Sequence, residues 1–139
     1  MNGNIRQMGD KDVEVVRRAY DAYSKGDLAA AGSAYSDDTV WDVSRFRPDE
    51  SVHSGLEELA KNLGSWRDTW TEHSFSLERL VDAGERVVAV VRESGRGKSS
   101  GAPVTVRYGQ VITVRDGKIV ETIVYSDPED AFDAAGLSR

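Results

Sequence analysis

The sequence predicts an α+β domain in which helices pack on one face of an antiparallel sheet. Three observations carry this. Apolar residues recur at helical spacing over Val13–Tyr23 and again over Leu56–Trp70. From Phe75 onward the chain turns to long β-rich runs. Asp116-Gly117 then joins two such runs, VTVRYGQVITVR and KIVETIVY, as a two-residue hairpin turn.

Residues 1–9 are polar and are expected to be a flexible N-terminus; residues 10–139 form one domain. Asp10 can cap a helix carrying Val13, Val16, Tyr20 and Tyr23, which Gly26 ends. Asp27 starts a second, Ala-rich helix to about Tyr35, and Thr39–Val43 reads as a short strand. A loop is expected over 44–52. Ser54 and Glu57 form a capping box for a helix over 55–70. Phe75, Leu77 and Val81 open a strand that turns at Asp82–Glu85, and Val87–Val91 is apolar on both faces, the pattern of a central strand covered on both sides or of a strand under a pocket. Gly95–Gly101 is a basic, Gly/Ser-rich hairpin loop. Ser126 or Asp127 caps a last helix, with Pro128 near its start and Phe132 and Ala135 facing in.

Composition removes several function classes. A net charge of −6 lacks the basic footprint of a nucleic-acid partner. No run of 18 apolar residues is present, so no membrane span is expected, and the first residues lack a signal-peptide core. The absence of cysteine fits a cytoplasmic protein and removes thiolate chemistry. Two histidines without a supporting motif predict no metal site, and no cofactor motif is present. Gly97-Lys98-Ser99 resembles the tail of a phosphate loop, but the required first glycine falls at Arg92 and no helix follows.

In the opening hairpin, Tyr108, Gln110, Ile112 and Val114 share one face. An amide among apolar neighbours needs a partner, because leaving it unpaired costs about 1–3 kcal/mol. Gln110 therefore marks a candidate site.

The element order resembles the nuclear transport factor 2-like superfamily, and more narrowly its SnoaL-like branch of polyketide cyclases and ketosteroid isomerase relatives. The stretches that carry the resemblance are Ala22–Leu28, Tyr35–Trp41, His53–Leu59, Val81–Val88 and Val114–Glu121. It implies a cone-shaped, strongly curved antiparallel sheet of cystatin-like type, closing with its helices around an apolar pocket. It also implies a homodimer through the outer sheet face and a small apolar or aromatic metabolite as ligand.

Within that family the limonene-1,2-epoxide hydrolases resemble this chain at Arg92-Glu93-Ser94 and Thr122–Asp127. Ser94 and Val124 stand where those enzymes carry carboxylates, so that chemistry is rejected. SnoaL-type cyclases carry an acid or base near the position of Gln110, which is neutral here. By strand parity Arg92 shares a face with Val88 and Val90, which points it into the cone to hold an anion; the alternative is a place near the strand end, paired with Glu93 or Glu121 or in solvent. The expected catalytic set is thus Arg92, Gln110 and Tyr108. Trp41, Tyr20, Tyr35, Trp66, Val88, Val90, Ser94 and Val124 are expected to line the ligand. Asp42, His53 and His73 are the other titratable candidates, with Asp42 or Glu93 as a base recruited from elsewhere. Three readings follow: an isomerase, cyclase or dehydratase working through an enolate-like state; a pocket that binds without turnover; and a dimeric assembly module with a vestigial pocket.

Overall fold

The computed structural model describes residues 2–46 and 52–137. Helix α1 spans Asn2–Ser24, beginning well before the expected cap at Asp10. Its inward stripe is Val16, Ala19, Tyr20 and Tyr23, all buried. Gly26 at φ +81° ends it, a backbone conformation that costs glycine little. Asp27 caps α2 (Leu28–Gly32), accepting from Ala30 N at 3.1 Å. This helix stops short of Tyr35 because β1 (Tyr35–Asp42) begins there.

The loop expected over 44–52 lies partly outside the described residues, and its last residue opens β2 (Val52–Ser54). Ser54 therefore pairs with Val40 across the β1–β2 ladder. The N-cap of α3 (Leu56–Asp68) is Gly55 at φ +98°, with no side-chain cap, so the expected capping box does not form. Thr69 ends α3, its hydroxyl donating to Trp66 O at 2.7 Å. Trp70 thus starts β3 (Trp70–Asp82) and does not continue the helical stripe. Strands β4 (Arg86–Gly97), β5 (Pro103–Arg115) and β6 (Lys118–Tyr125) complete the meander. Asp116 and Gly117 both adopt positive φ at the β5–β6 turn, as expected. Asp127 caps α4 (Pro128–Ala134).

The six strands run β2-β1-β6-β5-β4-β3 in one curved, unclosed sheet. All neighbours are antiparallel except β1 and β6, which are parallel. Strand β4 is covered on both sides, as its unbroken apolar run requires. Val87, Ala89 and Val91 join Tyr20 and Ile112 in the core under the layer α1–α3. Val88 and Val90 pack with Val111, Ala131 and Phe132 on the other face, where the short α4 lies. Gly109 permits that close approach, since a Cβ there would sit 2.8 Å from Ala131 Cβ and from Pro128 Cα.

Candidate functional site

Strand register decides which side chains reach the interior. Residues directly opposite in an antiparallel pair share a face. Tyr108 is opposite Val91, Gln110 opposite Ala89 and Ile112 opposite Val87. The interior face of β4 is therefore the odd-numbered one, and Glu93 belongs to it.

Between this face and helices α1–α3 lies a cavity of about 250 Å³. Its wall includes Tyr20, Tyr35, Trp41, Trp66, Val124 and, from β5, Tyr108 and Gln110. These expected residues come together. Arg92 does not: it is exposed on the opposite face, across from Ser76 and Arg107. Val88 and Val90 point the same way and pack toward α4. Ser94 follows them, its hydroxyl 3.4 Å from that of Thr105. The parity grouping of these residues was right and the face was reversed. Asp42 accepts from the Ser44 backbone and hydroxyl near the end of β1. His53 lies beside the Trp41 ring, 6.1 Å between centroids.

The group that sequence reasoning underweighted is Glu93. It is 1% exposed, and among the described residues it is the one charged side chain lining the cavity. Burying a carboxylate is costly unless its oxygens are satisfied. Here Trp66 Nε1 donates to Oε1 and Oε2, each at 3.0 Å. The Tyr108 hydroxyl donates to Oε2 at 2.6 Å. His73 Nε2 lies 2.6 Å from Oε1. Three side chains from α3, β5 and β3 thus converge on one carboxylate.

His73 reaches Glu93 because β3 bulges. The ladder shifts between Thr71 and Ser74, and Glu72 sits at φ +52°, a rare conformation for a residue with a Cβ. Gly95 on β4 makes room, since a Cβ there would meet Thr71 O and the Trp70 ring at 2.9 Å.

At the other end of the inner face, the Tyr20 hydroxyl donates to Gln110 Oε1. The Gln110 amide nitrogen is then the donor left for the cavity. Two more polar atoms in the cavity wall, Tyr23 OH and Thr122 Oγ1, are buried with no partner. Burial raises the phenol pKa of Tyr20 and Tyr108 well above the ordinary value; the nearby Tyr35 and Glu93, respectively, reinforce it. Tyr35 is raised too, chiefly by burial. Tyr23 is pushed up to about 12 by burial and then by the Glu93 charge, with Arg67 opposing. All four are therefore neutral hydrogen-bond donors at physiological pH, not bases.

Solved structures share this architecture. An NTF2-like protein from Burkholderia thailandensis matches with a TM-score of 0.72 at 24% identity, over 91% of this chain and 98% of that one. A candidate polyketide cyclase from Xanthomonas campestris pv. campestris matches with a TM-score of 0.70 at 20% identity, over 91% and 97%. A protein with a ketosteroid isomerase-like fold from Catenulispora acidiphila, solved in complex with trimethylamine, matches with a TM-score of 0.70 at 16% identity, over 90% and 94%. At these identities the likeness concerns the fold. Comparison with curated proteins finds no match. The family model for the SnoaL-like domain matches residues 16–122, a span from the buried stripe of α1 to the cavity-lining Thr122 of β6. The chain belongs to the SnoaL-like domain family.

Proposed function

We propose that the cone binds a small, mainly apolar molecule and isomerises, cyclises or dehydrates it through an enolate-like state. The observation that carries this is the Glu93 carboxylate, joined to Tyr108 at 2.6 Å and, among the described residues, the one charged side chain in the cavity wall. A ligand oxygen that draws the Tyr108 hydroxyl away frees a lone pair on Oε2. Glu93 then takes a proton from the carbon next to the ligand carbonyl, and the C–H electron pair moves into the enolate. The enolate oxygen is met by Tyr108 O–H and by the Gln110 amide, whose carbonyl Tyr20 holds. Returning the proton to another carbon completes an isomerisation. The outer sheet face beyond α4, around Arg92 and Thr105, is the surface this reading leaves for a second copy of the chain.

The test uses 2-tetralone, a bicyclic ketone whose α-hydrogens exchange in D2O and can be followed by NMR. The reading expects exchange well above the buffer rate, lost in Glu93→Gln. Exchange at the buffer rate overturns it.

One observation favours binding without turnover. All of the carboxylate's acceptor positions are engaged from within the protein, so none is open to a ligand proton until a donor is displaced. On that reading the site holds its ligand, and tetralone binds with no exchange.

A further inference from the structure

The Glu93 end of the cavity pairs a saturated carboxylate with a wall of aromatic rings. Phe75 is directly across from Glu93 on β3. Trp66 and Tyr108 bond to it, and Phe46 packs edge-on against both, at 6.1 and 5.2 Å between centroids. All four rings line the cavity. No Lys, Arg or His lines it among the described residues. Among the described residues, His73 stands behind the carboxylate and Arg67 has its guanidinium carbon 4.8 Å from the Tyr23 ring centroid, and neither lines the cavity.

Saturation decides which cations suit such a site. A metal ion needs oxygen lone pairs as ligands, and the Glu93 oxygens have none to spare. A primary ammonium also needs acceptors for its three N–H groups. A quaternary ammonium donates no hydrogen bond. It needs only negative potential and the faces of aromatic rings, and its methyl groups suit an apolar wall. Trp66 and Tyr108 donate hydrogen bonds without adding positive charge, so they hold the carboxylate in place and leave its field intact. Glu93 is itself buried, so bulk water does little to screen that field.

From this we infer that the Glu93 end of the cone is a receptor for the quaternary ammonium group of a small apolar cation. The inference rests on the cone being a ligand site and does not require turnover.

The experiment compares phenyltrimethylammonium with tert-butylbenzene, its uncharged isostere, by titration against tryptophan fluorescence at pH 8.5. The expected result is at least tenfold tighter binding of the cation. Glu93→Gln should erase that preference, bringing the affinities of the two compounds to within about twofold of each other. Tyr108→Phe, which keeps the charge and the ring, should retain it. Equal or tighter binding of tert-butylbenzene to the unaltered protein overturns the inference while the cone remains a ligand site. Failure of both compounds to bind overturns the inference and the ligand-binding reading together.

Discussion

The Tyr108 hydroxyl meets Glu93 Oε2 at 2.6 Å, although the two residues are not strand partners: Tyr108 lies opposite Val91, and Glu93 opposite Val106. The contact is diagonal across the inner face of β4 and β5, a distance a tyrosine can span. It ties the β5 wall of the cavity to a carboxylate that the sequence sets between Arg92 and Ser94.

Removing that carboxylate should cost more than removing any one donor. Glu93→Leu leaves the buried Tyr108 O–H without its acceptor, at about 1–3 kcal/mol, and takes Glu93 from Trp66 and His73 as well. Tyr108→Phe should cost only about 1–2 kcal/mol, because two other groups still hold Glu93. Urea denaturation of both variants checks the order, and a larger loss in Tyr108→Phe would contradict it.

Gly95→Ala should destabilise by about 1–3 kcal/mol, a typical overpacking cost. Its Cβ would meet Thr71 O, which is backbone, and the Trp70 ring at 2.9 Å. The Trp66 and His73 ring resonances should move with it, since the bulge that aims His73 must shift. Unchanged spectra and an unchanged melting temperature would show that the bulge has slack.

Tyr23 gives a pH test with a fixed sign. Its folded pKa, raised to about 12, lies above the ordinary phenol value near 10. The folded state therefore holds the proton more tightly. The associated stability is complete below pH 10 and is lost as pH climbs toward 12. Tyr20, Tyr35 and Tyr108 act in the same direction. Denaturation midpoints should fall steeply between pH 9.5 and 12 on the order of these titrations, and less steeply in Tyr23→Phe. At pH 8 that variant should be as stable as the parent or more so, because it deletes a buried hydroxyl with no partner.

Arg92→Ala should change stability by no more than about 0.5 kcal/mol, as at other exposed positions, and should leave ligand binding intact. Isothermal titration with 1-naphthol measures the second point. A tenfold loss of affinity would mean that the exposed face takes part in binding.

Much of the fold was legible because local signals agreed. The Asp116-Gly117 turn, the α1 and α3 stripes and the alternation of Tyr108, Gln110 and Ile112 each point to one structure. Strand β4 offered no such signal. Val87–Val91 is apolar on both faces, so nothing local says whether Arg92 or Glu93 faces the cavity. The choice depends on the β4–β5 register, which a hairpin loop of uncertain length does not fix. A general expectation that charged side chains avoid burial favoured neither residue. The β3 bulge was equally hidden, because Glu72 at positive φ has no sequence signature. Strand β2 escaped notice because its three residues, Val52–Ser54, are too few to show a period.

The central claim is that ligands occupy the cone between Glu93 and Gln110. The most direct measurement is a 1H–15N NMR titration with 1-naphthol that follows the Trp66 indole N–H and the Gln110 side-chain amide. The account predicts saturable shifts in both resonances, with the Arg92 signals unmoved. Shifts confined to Arg92 and its outer-face neighbours, with Trp66 and Gln110 unchanged, would contradict it.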